Sequence, residues 1–279
     1  MTKWKKVQGV LFCAPALALL FLFYLLPAFV TVVLSFFETQ HYVSYTWVGT
    51  EHYQNLIDSG FFDALRVSGK FLIAALIYKF IISYLIAVAL YFMSPRFSMF
   101  MRTIYYVPVV LSGVATVSVW RWILGPSGLI NSVLGRTYLW FGDPKLSLWA
   151  VAFVMMMQYV GGTILLWSAA LGQIPPDVID AAKVDGAGTF RLIWHIFTPL
   201  TQPTRMYIGI VGFLGALQVW EHPWLFTGGG PQGSSTTVAL KIFNTAFSLG
   251  QIGMASAMTT VTLLLSILLA IYLIYRGMM

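Results

Sequence analysis

The sequence predicts an all-α membrane protein with six transmembrane helices. Of its 279 residues, 59% are hydrophobic and only 9% are charged, whereas charged residues make up roughly a quarter of soluble domains. The mean hydropathy is +0.82, and apolar runs of about 20 residues, enough to cross a bilayer, recur along the chain. The predicted spans are 10–36, 68–92, 103–124, 148–171, 204–221 and 256–275, within a single transmembrane domain over 1–279.

The first two predicted spans contain residues that transmembrane helices rarely hold. The uncharged run 7–37 is much longer than the core of a signal peptide, so we expect a retained helix that is kinked at Pro15 and Pro27. The second span has Lys79 near its middle, where inserting a lysine costs on the order of 2.5 to 3.5 kcal/mol. Lys79 should therefore either face a wet cavity or be packed or paired inside the helix bundle.

Small and polar residues mark the fourth and fifth spans. The fourth has a face made of Gln158, Tyr159, Gly161 and Gly162. The fifth has glycines at three-residue spacing, at Gly209, Gly212 and Gly215. Small residues let helices approach closely, and they equally suit the wall of a substrate path, so both alternatives stay open. In the third span, Arg121 lies between two tryptophans and is typical of an interfacial anchor.

A long segment of mixed polarity, 174–203, separates the fourth and fifth spans. Pro175-Pro176-Asp177 is a helix-start signal, and Gly186 provides the left-handed residue that ends a helix. The residues predicted to share one small, flat face are Val178, Ala181, Ala182 and Asp185. A second short helix is predicted up to Pro199, with an apolar stripe of Phe190, Ile193, Trp194 and Phe197. Helices this short are marginal alone in water, so we expect the segment to dock onto a partner.

This segment resembles the EAA loop of ABC importer permeases. The resemblance is carried by Asp180-Ala181-Ala182, Asp185-Gly186-Ala187, Ile196, Pro199 and Pro203, in the family's order and spacing. It implies that the loop forms the coupling helix that inserts into a groove of the ATPase subunit. The residues that would couple to the ATPase are Asp180, Ala181, Ala182, Asp185 and Gly186. Asp180 stands where the family has glutamate, so its carboxylate would reach a shorter distance toward a cation on the ATPase.

Other motifs resemble carbohydrate-uptake permeases of the maltose and glycerol-phosphate type, and together they cover essentially the whole chain. They include Trp47-Val48-Gly49 with His52 to Leu56, Arg102-Thr103 to Pro108, Val119 to Trp122, and Gly128 to Asn131. A further motif is Thr227-Gly228-Gly229-Gly230-Pro231, after the fifth span. Its three glycines and proline predict a turn with exposed backbone amides, and the resemblance places this turn in an external loop.

The distribution of basic residues predicts the orientation in the membrane. With the N-terminus inside, nine Lys and Arg residues fall on the inner side and six on the outer side. The inner residues are Lys3, Lys5, Lys6, Arg96, Arg102, Lys183, Arg191, Arg205 and Arg276. Because basic residues are enriched on the cytoplasmic side of membrane proteins, both termini and the 174–203 segment are predicted to be cytoplasmic.

Motifs of several enzyme classes are absent from the sequence. The only Gly-Lys pair, Gly69-Lys70, is followed by Phe71 and lacks the other residues of an ATP-binding loop. The four histidines have no metal-ligand spacing, and no G-x-S-x-G nucleophile motif occurs. We therefore expect no enzyme activity, metal or cofactor in this chain, and we expect ATP and Mg²⁺ to be bound by a partner ATPase. Basic residues are dispersed, so a nucleic-acid partner is not expected.

The predicted function is the membrane subunit of an ABC importer that forms the translocation path for a sugar or oligosaccharide, as the resemblance implies. The implied partners are a second, homologous permease subunit, two ATPase subunits, an extracytoplasmic solute-binding protein and membrane lipid. The binding protein would deliver cargo near 38–67, 125–147 and 228–235, and the expected location is the prokaryotic inner membrane. An ion-coupled secondary transporter is the alternative from another class, although it would need acids buried in helices.

Six residues are predicted to line the substrate path: Lys79, Gln158, Tyr159, Gln218, Trp220 and Glu221. Aromatic faces with a few amide and charged groups suit a sugar, but each of these residues would also serve as polar contact between helices. Lys79 leaves two further alternatives open. It would select an anionic cargo, such as an acidic sugar or a glycerol phosphate, or it would pair with Glu221 and carry no specificity.

Overall fold

The computed structural model describes residues 3–40 and 44–277, and side chains within 12–39 and 45–275. This part of the chain is mostly helical, as predicted. The helices are α1 (Lys3–Leu20), α2 (Leu26–Leu34), α3 (Glu51–Gln54), α4 (Phe61–Leu76), α5 (Ser83–Tyr91), α6 (Pro95–Tyr106), α7 (Gly113–Ile123), α8 (Leu129–Leu134), α9 (Ser147–Gly172), α10 (Pro176–Val184), α11 (Thr189–Leu192), α12 (Thr198–Leu200), α13 (Gln202–Leu217), α14 (Glu221–Thr227), α15 (Val238–Phe243) and α16 (Ile252–Gly277). The strands are β1 (Phe37–Gln40) and β2 (Ser44–Trp47). The predicted orientation used four basic residues whose side chains are not among those described: Lys3, Lys5, Lys6 and Arg276.

Four helical stretches in the described chain are long and apolar enough to cross a membrane: Phe12–Leu34, Phe61–Tyr91, Ser147–Gly172 and Ile252–Tyr275. A fifth candidate is the pair Pro95–Val110 and Gly113–Ile123, which is bent by 102°. Helix α13 is also apolar, but its 16 residues give a length of only about 24 Å. The protein is thus a multi-pass membrane protein with four or five candidate spans.

The third predicted span, 103–124, is not one continuous helix. Helix α6 ends at Tyr106 and passes into a 3₁₀ turn, Val107–Val110, that contains Pro108. Leu111 is extended, and Ser112 then caps the new helix α7 by accepting a hydrogen bond from the Ala115 amide at 3.2 Å. Proline removes a helix hydrogen bond and serine offers a new start, so the chain turns a corner where a straight helix was predicted.

Two other predicted spans have different ends in the structure. The second helical stretch begins at Phe61 rather than at residue 68. At this start the Ser59 hydroxyl accepts a hydrogen bond from the Phe61 amide at 3.2 Å. The fifth ends at Leu217, and Glu221 is the first residue of the separate helix α14. The predicted span 204–221 would have included Gln218, Trp220 and Glu221. In the structure these three residues follow α13.

Contacts divide the chain into two compact units, Met1–Phe61 with Ile242–Leu265 and Phe62–Lys241 with Ser266–Met279. In the first unit, β1 and β2 form an antiparallel hairpin in which Phe37 lies opposite Trp47. The Thr39 hydroxyl accepts a hydrogen bond from the Gly253 amide at 3.0 Å. A Cβ at Gly253 would overlap the Phe37 carbonyl, so only glycine lets the start of α16 lie against this hairpin.

The second unit is built around α9, which packs against α5 and α6 and is buried along most of its 26 residues. Trp167 and Ile164 of α9 are almost fully buried in a cluster with α5 and the 174–203 segment. Val151 and Val154, near the other end of α9, are fully buried in a second cluster that includes Phe226 of α14. Both ends of α9 are therefore fixed in apolar packing.

Candidate functional site

A cavity of about 490 Å³ lies in the second unit, beside the second of these clusters, whose Phe71 and Ala152 line it. This volume is within the range of small-molecule sites, about 300 to 1,000 Å³. Its aromatic lining consists of Phe71, Tyr78, Tyr159, Trp220 and the imidazole of His222. Gly162, Gly212 and Gly215 leave parts of the wall without side chains. Lys79 and Glu221 are the charged residues of the lining, so the cavity combines ring faces with one cation and one anion.

Lys79 lies in a π-helical turn, Ile77–Ile82, between α4 and α5. Its side chain lies close to Gly212, where an added Cβ would be 3.2 Å from Lys79 Cδ. The ammonium nitrogen is 5.9 Å from the centre of the Tyr78 ring. Among the residues described, no carboxylate lies within 4.0 Å of that nitrogen, including the carboxylate of Glu221. Lys79 therefore faces the cavity, and the alternative in which it pairs with Glu221 is not the arrangement found.

Glu221 lies against the first residue of α7. A Cβ at Gly113 would overlap the Glu221 carboxylate, whose Cδ would be only 2.9 Å away. Unpaired amides at the start of an α-helix give that end a partial positive charge, which stabilises a nearby carboxylate. The corner before α7, which the sequence did not predict, thus brings a helix start next to an acid of the cavity.

Gln158 connects this corner to α14 through two hydrogen bonds. Its side chain is 2% exposed, and its amide nitrogen donates to the Leu111 carbonyl at 3.2 Å. Its amide oxygen accepts a hydrogen bond from His222 Nε2 at 2.8 Å. A carbonyl freed by a helix break inside a membrane needs such a partner, because no lipid group replaces water there. Gln158 therefore stabilises the cavity wall.

Gly161 and Gly162 divide the two roles that the sequence left open. A Cβ at Gly161 would overlap the Tyr105 carbonyl, so this glycine allows α9 and α6 to pack backbone against backbone. Gly162 lines the cavity, and nothing lies within 4 Å of where its Cβ would be. The first residue serves helix packing and the second leaves space in the cavity.

The 174–203 segment begins with α10, which ends in the predicted left-handed glycine. Gly186 has φ +78°, and its amide donates to the Lys183 carbonyl at 3.0 Å. The Ala187 amide donates to the Ala182 carbonyl at 2.9 Å, which completes a Schellman motif. Asp180 forms an ion pair with Lys183 at 3.0 Å, and both side chains are largely exposed.

The face predicted for α10 is divided between two sides of the helix. Ile179 is 4% exposed, and Ala182 packs against the same apolar cluster. Val178, Ala181 and Asp185 are exposed, and Val184 is 88% exposed. The four residues predicted to share one face therefore do not have the same surroundings, because Ala182 is half-buried beside Ile179 whereas Val178, Ala181 and Asp185 are exposed.

The apolar stripe predicted for the second helix is also wrong at two positions. Phe190 and Trp194 are 78% and 65% exposed, and their rings are stacked with centres 6.5 Å apart. Leu192 and Phe197 are the buried residues instead. The helix widens into a π turn at Ile193–Phe197, which rotates the residues after Leu192 relative to a regular helix.

A chain of contacts joins this segment to the cavity wall. Phe197 packs on Tyr91, with ring centres 5.0 Å apart. The Tyr84 hydroxyl forms a 3.0 Å hydrogen bond with Thr198 Oγ1, and the Tyr84 ring lies 4.9 Å from Trp167. The Trp167 indole donates to the backbone carbonyl of Lys79 at 2.9 Å. The segment and Lys79 are therefore connected through two aromatic side chains.

The glycine-rich turn after α14 does not expose its amides as predicted. The amide of Gly228 donates to Trp224, that of Gly229 to Pro223, and that of Gly230 to Thr227. Ser235 and Thr236 donate to the carbonyls of Gly230 and Gly229 at 3.1 and 2.8 Å. The amides of Gly228, Gly229 and Gly230 are therefore satisfied by backbone carbonyls nearby in the chain.

Residues 79–276 match the family described as "Binding-protein-dependent transport system inner membrane component". The chain belongs to this family. It is 30% identical to the probable ABC transporter permease protein YurN of Bacillus subtilis (strain 168), over 97% of this chain and 96% of that protein. It is 28% identical to the multiple sugar-binding transport system permease protein MsmF of Streptococcus mutans serotype c, over 92% and 90%.

The fold of this binding-protein-dependent transport component is similar to that of a solved transporter structure. That structure is described as a bacterial ABC transporter involved in the import of the acidic polysaccharide alginate. The TM-score is 0.85, with 98% of this chain and 97% of the other covered. At 20% identity, the likeness concerns the fold alone.

In this family member, five of the six residues predicted to line the substrate path do line the cavity. They are Lys79, Tyr159, Gln218, Trp220 and Glu221. Gln158 is not part of the lining and contacts it through His222. Arg121, predicted as an interfacial anchor, is exposed and donates a hydrogen bond to the Phe226 carbonyl at 3.1 Å.

Sequence reasoning missed Gly113, His222 and Tyr78 as parts of the site. Gly113 follows Ser112, and a Ser-Gly pair after Pro108 was a usable signal of a helix restart inside the third apolar run. His222 is adjacent to Glu221, but its bond to Gln158 joins residues 64 positions apart and is visible only in the fold. Tyr78 reads as an ordinary residue of an apolar run.

Proposed function

We propose that the protein is the membrane subunit of an ATP-driven importer and forms the path through which a carbohydrate crosses the inner membrane. The family assignment supports the transporter class and a solute-binding protein as partner, and it removes the ion-coupled alternative. The observation that carries the cargo class is the cavity, where aromatic rings, an amide and two charged groups surround one space. Relatives such as MsmF are named for sugar transport, which supports the same class.

The proposed topology has six spans with both termini in the cytoplasm. Helix α13 would make the fifth passage together with the short helix α14 that follows it. The excess of basic residues on the side of the 174–203 segment supports the orientation. In this arrangement the proposed partners are a second, homologous permease subunit and two ATPase subunits, which bind ATP and Mg²⁺.

Coupling to the ATPase is proposed to occur at the exposed face of the 174–203 segment. The residues inferred from the EAA-type motif, Asp180, Ala181, Ala182, Asp185 and Gly186, would act in two groups. Ala182 would hold α10 on the core, while Ala181 and Asp185 would meet the partner. Val184, Phe190 and Trp194 add exposed apolar surface, which in a cytoplasmic loop is typical of a protein interface.

In the proposed mechanism, closure of the ATPase dimer displaces the 174–203 segment. Phe197 and Thr198 are held on α5 by ring packing and by the Tyr84 hydrogen bond, so the displacement would be carried to the helices around the cavity. The cavity would then open alternately to the two sides of the membrane by rearrangement of packed helices.

Crosslinking tests the proposed position of the ATPase. The single cysteine, Cys13, is exposed and is first replaced by serine. A cysteine is then placed at Val184, 88% exposed on α10, or at Val133, 77% exposed on α8, as the matched control. In the assembled transporter, Val184→Cys is expected to crosslink to an ATPase subunit and Val133→Cys is not. Failure to co-purify any ATPase, or crosslinking from Val133→Cys alone, would contradict the proposal.

A further inference from the structure

Lys79 and Glu221 are opposite charges that face the same cavity without touching. Neither the Lys79 ammonium nor the Glu221 carboxylate forms an ion pair with any residue in 45–275, whose side chains are described. The Lys79 nitrogen instead lies 5.9 Å from the centre of the Tyr78 ring, and the Glu221 carboxylate lies at the start of α7. Charged groups in a membrane interior are costly unless they are paired, hydrogen-bonded or hydrated. The two charges therefore leave a binding opportunity for a molecule that reaches both.

Two glycines leave room for these charged side chains. The Lys79 chain lies beside Gly212 of α13, and the Glu221 carboxylate lies against Gly113 of α7. At each glycine the charged side chain lies close to where a Cβ would otherwise be. Lys79 thus packs against α13, and Glu221 packs against α7. The Lys79 ammonium and the Glu221 carboxylate are therefore kept apart by the way in which the helices of the second unit pack.

The formal charges of the cavity lining sum to zero, since Lys79 and Glu221 cancel. His222 donates to Gln158 through Nε2 and packs against the Tyr159 ring, with centres 5.6 Å apart. A neutral cargo keeps the charges of the cavity balanced. A cargo with a carboxylate would add a second anion to the space that Glu221 already faces, and like charges repel strongly in a low dielectric.

We propose that the cargo is a neutral, hydroxyl-rich saccharide whose hydroxyl groups bridge Lys79 and Glu221, and that Glu221 excludes acidic sugars. This inference rests on the proposed carbohydrate function and narrows it. A hydroxyl group both donates and accepts, so one can donate to the carboxylate while a neighbour accepts from the ammonium. Such charge-assisted hydrogen bonds are about twice as strong as those between neutral groups. The Tyr159 and Trp220 rings supply apolar faces for the sugar ring.

The test measures equilibrium binding to the complete transporter in lipid nanodiscs, without the solute-binding protein, so that only the membrane cavity selects the ligand. The probes are maltose, lactose and cellobiose, each paired with the derivative that carries a carboxylate in place of a C6 hydroxymethyl group. The variants are Lys79→Met and Glu221→Gln. The controls are Lys70→Met, which removes an exposed cation of α4 outside the cavity, and Glu51→Gln, which removes an exposed acid of α3.

We expect at least one neutral probe to bind at least ten-fold more tightly than its acidic counterpart. Lys79→Met and Glu221→Gln should each weaken the neutral probe about ten-fold, since each removes one charged end of the bridge. Glu221→Gln should also strengthen binding of the acidic derivative, because Lys79 then faces it without a competing anion. Both controls should bind as the unaltered protein does.

Three results would overturn the inference. Tighter binding of acidic than of neutral probes by the unaltered protein would make Lys79 a site for anionic cargo, and the bridge would be wrong. Unchanged affinities in Lys79→Met and Glu221→Gln would show that neither charge touches the saccharide. Absence of binding by every saccharide would reject the carbohydrate function itself, together with the inference that depends on it.

Discussion

The cavity and the 174–203 segment belong to the same compact unit, but they treat their charged and aromatic groups in opposite ways. In the cavity, Lys79 and Glu221 have no ion-pair partner among the described residues, while the Tyr159 ring packs against His222. In the segment, Asp180 has its partner in Lys183, while the rings of Phe190 and Trp194 are uncovered. Unsatisfied polar groups in one region and unsatisfied apolar groups in the other point to ligands of different chemistry.

This difference indicates that the two regions would obtain their free energy of binding from different sources. The cavity gains by binding polar groups that replace water around two charges, whereas the segment gains by burying apolar area, at roughly 25 cal/mol per Å². Between them, Trp167 and Tyr84 are well packed and hydrogen-bonded. Changes to the connecting contacts should therefore affect stability, and changes at either end should affect function with the fold intact.

The largest contrast is expected between two phenylalanines of the same segment. Phe197→Ala removes a ring that is 0% exposed and should lower the free energy of unfolding by about 3 to 5 kcal/mol. Phe190→Ala removes a ring that is 78% exposed and should change stability by less than about 0.5 kcal/mol, while reducing cargo-stimulated ATP hydrolysis. Thermal unfolding in detergent and ATPase assays of the assembled transporter measure the two effects. Equal stability losses would mean that the segment is packed differently.

A smaller contrast is expected between the two neighbouring glycines of α9. Gly161→Ala should destabilise the protein by about 1 to 3 kcal/mol, because its Cβ would meet the Tyr105 backbone. Gly162→Ala has open space and should leave the unfolding temperature unchanged or slightly raised, since alanine favours helices. Unfolding curves of both variants check this order. A more damaging change at Gly162 would refute the close packing of α6 on α9.

Removing one hydroxyl from the connection between cavity and segment should have an effect of about 1 kcal/mol. Tyr84→Phe keeps the ring on Trp167 but loses the hydrogen bond to Thr198. Tyr91→Phe is the matched control, because the Tyr91 ring packs on Phe197 and its hydroxyl forms no hydrogen bond with a described residue. If Tyr84→Phe and Tyr91→Phe have the same unfolding temperature, the Tyr84 hydrogen bond contributes nothing measurable.

The smallest expected effect on stability is that of Asp180. Its ion pair with Lys183 is exposed, and such pairs contribute about 0.5 kcal/mol or less. Asp180→Ala should therefore leave unfolding nearly unchanged while it weakens association with the ATPase, if the carboxylate exchanges Lys183 for a cation of the partner. Co-purification of the ATPase with Asp180→Ala and with Asp63→Ala, the acid of a second exposed pair, separates this role from a general loss of charge. Equal ATPase yields would argue against it.

The helical class, the long apolar spans and the stop at Gly186 could be predicted because they depend on composition and on neighbouring residues. The corner at Leu111 could not be placed by hydropathy, since Pro108 and Ser112 lie in an uninterrupted apolar run. The face of the helix after Gly188 was assigned wrongly for another reason. The π turn at Ile193–Phe197 changes the angular period, so a regular 3.6-residue pattern places the exposed Phe190 on the same side as the buried Phe197.

The residues that line the candidate cavity were predicted better than the residues that hold those lining residues in place. Lys79 was identified because a cation in an apolar span is costly, which is a property of one residue and its surroundings in the sequence. Gly113 and His222 support the site through contacts between helices distant in sequence, so their roles depend on the tertiary fold. Glycines at which a helix packs and glycines that line a space look alike in the sequence until their neighbours are known.

The exposed rings of Phe190 and Trp194 should affect how long the chain persists before it is assembled with a partner. In the proposed topology, a newly inserted copy that has not met the proposed ATPase would present these apolar rings to the cytosol, where they favour self-association and recognition by quality-control proteases. Under that proposal, matched synthesis of the two subunits would protect this one from degradation, so its abundance in the cell should follow that of the ATPase.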